Sequence, residues 1–345
     1  MTKVTISRRQ SLALTFAGAL AFGLGFGLPA QADQTITIAY QTGFSPFVRA
    51  VASGEIEKIP GWKVEFRQFN SGAEIFAAIA AGDVQIGDVG SSPFAASVSK
   101  GIDVKAVYIS GAAGEDEALV VRNGSGINSL ADLKGKKVAA APVSTDHFML
   151  LSTLKQEGIK PDEATVLAIP QPEIVAGWQR GDIDAAFVWD PALGKLLENG
   201  KVLLTAKQAA ERGAVTFGAL VATGDLVKDH ADFVQKFVKI VDGYYRDAET
   251  HPEHWTATSE NVQALSKFTG AKPEDIASRL KVSVYVPAAQ QASTQWLGGG
   301  DGSTLAHVLK DTAQFLKEQQ KINKVLDSYA AFIDPRFVQA TLASN

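Results

Sequence analysis

The chain has 345 residues, 46% hydrophobic and 20% charged, which is the composition of a soluble globular protein long enough for two domains. Its formal net charge of −4 leaves no cationic excess to neutralise phosphates, so no nucleic-acid partner is expected. Cysteine is absent, which excludes disulfides, thiolate metal sites and cysteine nucleophiles; the five histidines (His147, His230, His251, His254 and His307) form no HExxH, so no metal and no cofactor are expected.

Residues 1–32 read as a cleaved export signal. Lys3, Arg8 and Arg9 make a basic start without acids, Leu12 to Leu28 run uncharged, and Ala30-Gln31-Ala32 offers a small-residue cleavage site. Ser7-Arg8-Arg9-Gln10-Ser11-Leu12 resembles a twin-arginine signal, with general secretion as the alternative. The apolar run is short and Gly-rich against the roughly 20 residues that a membrane span needs. Loss of three cations takes the net charge from −4 to −7, and a soluble periplasmic protein beginning at residue 33 is expected.

Strand and helix patterns then alternate. Thr35–Tyr40 reads as a strand, Pro46–Glu57 as a helix, Trp62–Phe66 as a strand, and Ala73–Ala81 as a helix stopped by Gly82. Val84–Gly87 is a third strand, followed by the turn Gly90-Ser91-Ser92-Pro93. The order recurs with strands at Lys137–Ala141 and Thr165–Ile169, helices at Asp146–Gln156 and Ile174–Arg180, and a turn plus strand at Gly181–Val188. Ala81-Gly82-Asp83-Val84 is echoed by Arg180-Gly181-Asp182-Ile183. Such alternation implies two α/β lobes with parallel sheets. Ala106–Val121 and Ala214–Thr223 read as connections between the lobes. Helices are expected at Asp232–Thr250, Asp275–Leu280 and Thr304–Gln319, the last amphipathic and preceded by the glycine-rich connector Gly298–Gly302.

Several motifs together resemble a known family. Ala39-Tyr40-Gln41-Thr42, Gln85-Ile86-Gly87, Gly90-Ser91-Ser92-Pro93, Glu117–Val121, Trp178–Asp184 with Val188-Trp189, and Asp311–Gln319 occur in one order. The set resembles the taurine-binding periplasmic components of ABC importers, in the nitrate/sulfonate/bicarbonate group of solute-binding proteins. The resemblance spans the chain beyond the leader. It implies a type II periplasmic binding fold, with two α/β lobes, two crossover segments and a ligand cleft lined by strand ends. The boundaries are then 33–115 for the first part of lobe I, 116–220 for lobe II, and 221–345 for the return to lobe I and the C-terminal helices. It also implies a monomer that closes on a short sulfonate, taurine favoured, and is read by ABC permease subunits.

Taurine carries a permanent sulfonate anion and an ammonium two carbons away. Helix N-termini and hydroxyls suit the sulfonate. Ser91 and Ser92 are candidates in the first lobe, as ligand donors or as helix caps, with Pro93 at the first helical position. Ser144 and Thr145 hold the equivalent place in the second lobe. His147 either donates to a sulfonate oxygen or sits half-buried, and Asp146 reads as a cap or a solvated charge. For the ammonium, Glu117 is the first candidate, against a surface acid, and Asp116 reads as solvated. Trp189 either covers the linker and ammonium or packs in the core. Asp190 is a second carboxylate or a turn starter. Gln41 suits a cleft, and Phe44, with Tyr40, shapes the first lobe's wall.

One run departs from the pattern. At Thr216-Phe217-Gly218-Ala219-Leu220, Gly218 and Leu220 stand where the resemblance implies an acid and an aromatic. That keeps open a ligand without an amine, such as isethionate or an alkanesulfonate. No nucleophile, base and oxyanion set is visible and no GxSxG occurs, so an enzyme is not expected. A ligand sensor in place of an import receptor is the remaining alternative.

Overall fold

The computed structural model describes residues 34–160 and 162–343, and the expected leader lies outside them. The first elements are β1 (Gln34–Gln41), α1 (Pro46–Ser53), β2 (Trp62–Phe69), α2 (Gly72–Ala80), β3 (Ile86–Gly90), α3 (Ser91–Ser99) and β4 (Val104–Ala112). A second set follows: β5 (Glu117–Arg122), β6 (Lys137–Ala140), α4 (Thr145–Gln156), β7 (Thr165–Ala168), α5 (Gln171–Arg180), β8 (Ala185–Trp189), α6 (Ala192–Leu197), β9 (Gly200–Thr205) and α7 (Ala206–Glu211). After β10 (Phe217–Thr223) come α8 (Gly224–Asp229), α9 (Ala231–Thr250), α10 (Glu260–Thr269), α11 (Pro273–Leu280), α12 (Ala288–Gln291), α13 (Thr304–Glu318) and α14 (Arg336–Ala343). Among the described residues no helix is long and apolar enough to cross a membrane.

The strands form two five-stranded sheets, ordered β2-β1-β3-β10-β4 and β7-β6-β8-β5-β9. The duplicated β-α-β-α-β pattern has become the same sheet twice. In each, three strands run parallel, and a fourth, antiparallel strand sits between the third and an edge strand. The sheets are therefore mixed, which corrects the expectation of parallel ones. The reason is the crossing. Glu117, opening β5, pairs with Trp189, which closes β8, and Gly218, near the start of β10, pairs with Gly90, which closes β3. A strand that arrives from the other lobe enters at the end where its neighbours leave, so it must run against them.

The first crossing is shorter than the sequence suggested, and the second falls earlier in the chain. The chain leaves the first sheet at Ala112 and enters the second at Glu117, and it leaves the second at Thr205 and re-enters the first at Phe217. Phe217 to Leu220 are thus part of the first sheet, and a lobe II boundary at residue 220 is corrected to one ahead of β10. The apolar run of β10 is buried along most of its length between β3 and β4, which no surface connection would be.

Alternation along β5 builds the second lobe. Ala118 and Val120 pack with Ile174, Trp178 and Leu193, while Leu119 and Val121 pack with Met149, Leu150 and Phe187 on the opposite face. Gly82 and Gly181, the echoed glycines, both have φ of 82° and end the helices that feed the third parallel strand of each sheet. The C-terminal helices cover the first sheet. On α13, Leu305, Leu309 and Leu316 enter the first lobe's core, while Phe315 meets Phe148 of α4 edge-on at 5.1 Å.

Candidate functional site

A cavity of about 180 Å3 opens where the two sheets meet. This is below the roughly 300–1,000 Å3 typical of pockets for drug-sized ligands, so it suits a small solute. The first lobe contributes Gln41 and Phe44 after β1, Asp88 and Gly90 at the end of β3, Pro93 in α3, and Ser110 in β4. The second contributes Asp116 and Glu117 at β5, Ser144 and Thr145 at α4, and Trp189 and Asp190 after β8. Arg279, from α11, and Gly218 complete the wall. A larger groove, about 600 Å3, lies on the outer surface around Tyr244 and Lys239, away from the strand ends and the helix N-termini.

Seven of the sequence candidates meet on this wall: Gln41, Phe44, Glu117, Ser144, Thr145, Trp189 and Asp190. Ser91, Ser92 and His147 do not. Helix α3 begins at Ser91, with Gly90 as its cap, so Pro93 is its third residue and not its first. That register turns both serines inward. Neither has exposed surface; Ser91 Oγ accepts the Phe217 N–H at 3.4 Å, and Ser92 Oγ finds no partner among the described residues. Gly90 and Pro93 face the cavity in their place. His147 is buried, and its Nδ1 accepts the Val143 N–H at 3.2 Å. Burial, with a smaller effect of Lys321, pushes its pKa down to about 4, so the ring is neutral at pH 7. It fastens the turn ahead of α4, where Val143 has a φ of 60°, costly for a β-branched residue. Tyr40 is absent from the wall and packs on Phe268, centroids 5.9 Å apart.

The N-termini of α3 and α4 approach the cavity from opposite lobes. Ser144 Oγ caps α4 by accepting the His147 N–H at 3.1 Å, and it donates to the Ala141 carbonyl at 2.7 Å, so its hydroxyl is already engaged. The lobes touch here: a Cβ on Gly90 would come within 2.7 Å of Thr145 Cγ2. They meet again at Arg279 and Asp190, whose Nε and Oδ2 are 2.6 Å apart. The Nε–H is not aimed along this line, so the contact is an ion pair more than a directed hydrogen bond. Asp190 Oδ1 accepts the Gly194 N–H at 3.0 Å.

Four carboxyl groups, Asp88, Asp116, Glu117 and Asp190, line the cavity with a fifth, Asp146, behind Glu117, and the Arg279 guanidinium acts on two of them, Asp190 and Asp116. Burial raises the pKa of Asp88 to about 6, opposed by the Ser110 hydroxyl, which donates to Asp88 Oδ1 at 2.7 Å. Asp116 is no solvated surface charge: it is half-buried, Ser283 Oγ donates to its Oδ2 at 2.7 Å, and burial raises its pKa. Glu117 is pushed up to about 7 by burial and by the charge of Asp116, against hydrogen bonds from Asp146 and Thr145. Asp146, read from sequence as a cap or solvated charge, has no exposed surface, and among the described residues no fixed donor reaches either oxygen. Burial and the neighbouring Glu117 hold its pKa well above the ordinary range. Two carboxyls this close share a proton, and the deeper burial of Asp146 favours its residence there, facing Glu117.

The departure at Gly218 has a steric cause. A Cβ there would lie 2.7 Å from Ser110 Oγ, the hydroxyl that holds Asp88. An acid at position 218 and Ser110 in this rotamer exclude each other, and Asp88 brings a carboxylate to the same wall from the adjacent strand. Gly218→Ala is expected to displace Ser110 and cost about 1–3 kcal/mol of stability. Adding Ser110→Ala should recover most of that in thermal unfolding; no recovery would mean that the strain lies elsewhere.

Asp88, Ser110 and Arg279 were missed in the sequence. Asp88 did carry a signal, a lone acid inside the otherwise buried strand Ile86–Gly90. Arg279 carried none, since it lies on a charged amphipathic helix far along the chain.

Residues 58–255 match the family model described as NMT1/THI5 like. The chain belongs to this family. It is 38% identical over 325 residues to the taurine-binding periplasmic protein of Escherichia coli strain K12, covering 94% of this chain and 98% of that protein. In structure it resembles the alkanesulfonate-binding protein SsuA from Xanthomonas axonopodis pv. citri bound to MOPS, with a TM-score of 0.70, 21% identity, and coverage of 86% of this chain and 97% of that one. The desulfurization enzyme DSZB shares the fold at a TM-score of 0.59 and 14% identity, over 90% and 99% of the two chains. The fold of this NMT1/THI5-like protein is thus that of the periplasmic sulfonate-binding proteins, and it is one on which enzymes have also been built.

Proposed function

We propose that this protein binds taurine in the interlobe cavity, outside the cytoplasm, and delivers it to the permease subunits of an ABC importer. Residues 1–32 are then the leader removed on export, and the lobes divide at 112–117 and 205–217. The observation that carries the reading is the pairing of opposite needs in one small cavity. Two helix N-termini supply partial positive charge for a sulfonate. Beside them, Arg279, which Asp190 engages, is the one cation that lines the cavity with Glu117 and its acid neighbours among the described residues. A buried acid cluster of this kind is costly until a cation enters it. The ammonium of taurine is such a cation, and the half-buried indole of Trp189, beside Glu117 in the sheet, offers it a π face.

Gly218 by itself would point to a sulfonate without an amine. Asp88 and Glu117 outweigh it, because isethionate would leave both acids without a charged partner. Catalysis finds no support in the residues that line the cavity: the chain has no cysteine, and His147 is committed to backbone away from the wall. Calorimetric titration with taurine and then isethionate tests the assignment. A charge-assisted contact is worth about 1.5–3 kcal/mol, so taurine is expected to bind roughly 10- to 150-fold more tightly. The opposite order would overturn the choice of ligand and leave the sulfonate site standing.

A further inference from the structure

The end of α9 carries a cluster that the cavity does not use. Asp247 lies in the last turn of α9 and His251, four residues on, is the residue that ends it, and His254 returns over them in the 3-10 turn Pro252–Trp255. One donor atom from each lies within 4.8 Å of the others. Asp247 Oδ1 is 2.8 Å from His254 Nδ1 and 3.7 Å from His251 Nδ1. Ligands around a tetrahedral ion with bonds of 2.0–2.1 Å sit about 3.3 Å apart, between those two distances. The rings are stacked with centroids 5.0 Å apart and 10° between planes, so both edges address the same oxygen.

The carboxylate is held from behind. Trp255 Nε1–H and Asn261 Nδ2–H donate to Asp247 Oδ2, at 2.9 and 3.2 Å, which leaves Oδ1 directed at the imidazoles. Anchoring of this kind orients a ligand in metal sites. Asp247 is half-buried and both histidines are exposed, which keeps the remaining coordination positions open to water.

We propose that Asp247, His251 and His254 form a binding site for one divalent transition-metal ion, with Zn2+ the ion that this two-nitrogen, one-oxygen donor set suits. Magnesium and calcium prefer all-oxygen sites and fit it poorly. Binding takes each histidine as the neutral ring with its proton on Nε2. It also replaces the 2.9 Å contact between His251 Nδ1 and Thr250 Oγ1, whose own proton serves the Arg246 carbonyl at 2.7 Å.

The test is calorimetric titration of the whole protein with Zn2+, with the visible absorption of Co2+ reporting coordination geometry. One ion per chain is expected, with tetrahedral Co2+ bands, and a rise in unfolding temperature with Zn2+. His251→Ala and His254→Ala change exposed side chains, so they should fold as before and each weaken binding at least about tenfold. The double variant should lose both the Co2+ bands and the thermal shift. No saturable uptake at millimolar Zn2+ would overturn the proposal, as would uptake that the double variant retains.

Discussion

Glu117→Gln is expected to lower taurine affinity about a hundredfold or more and to leave isethionate within a few-fold of its original value. Removing one partner of a buried charge pair costs about 3–5 kcal/mol, because the other is left desolvated and unpaired. The amide can take over the hydrogen bonds that Glu117 makes to Asp146 and Thr145, so the fold should persist. Equal losses for both ligands would mean that Glu117 supports the sulfonate end or the fold, and the ammonium would then need another partner.

The same residue should link taurine binding to protons. Burial and Asp116 hold Glu117 at about 7, against 4.5 for an ordinary glutamic acid, so near neutral pH it is half protonated. An ammonium favours the carboxylate and expels that proton. Taurine affinity should therefore rise with pH up to about 7 and weaken by up to about tenfold per unit below it. Calorimetry in buffers of different ionisation enthalpy should show proton release with taurine and none with isethionate. Stability without ligand runs the other way. The folded value lies above the unfolded one, so protonation of Glu117 favours the fold fully below pH 4.5, and this contribution is lost as pH rises through about 7. A protein that melts higher at pH 5.5 than at 7.5, yet binds taurine more weakly there, fits both signs.

Much of this arrangement was legible in the sequence because topology dictates it. Buried strand runs, each followed by a helix, put strand ends and helix starts at one edge, so Gln41, Thr145 and Trp189 had to face a common cleft once the repeat was seen. What the sequence concealed depends on register and on distant contacts. Ser91 and Ser92 look like donors after a strand, but a helix that starts two residues before Pro93 points both hydroxyls inward. His147 looks free until Val143 is found to need an acceptor. The strand β10 hid inside a crossing because small apolar residues suit either, and only pairing on both sides distinguishes them. The acid expected near Gly218 had moved to a neighbouring strand, where Asp88 depends on a hydroxyl from a third.

The contact between Asp190 and Arg279 leads to a different kind of loss. It joins β8's end in the second lobe to α11, which packs with the first, on the wall of the same cavity. Arg279→Ala should leave Asp190 buried without its cation, so burial would push its pKa further up. Breaking a buried pair of this type costs about 3–5 kcal/mol. Where the pair forms only as the lobes meet, that cost falls on closure, and taurine and isethionate should lose affinity together by about a hundredfold or more. Asp190→Leu alone should cost a similar amount. The double variant, Arg279→Met with Asp190→Leu, should cost much less than the sum, since neither charge is then stranded. Titration of both ligands into all three variants reads this directly. Additive losses would show that the two residues act separately, and a loss confined to taurine would place Asp190 with Glu117 at the ammonium.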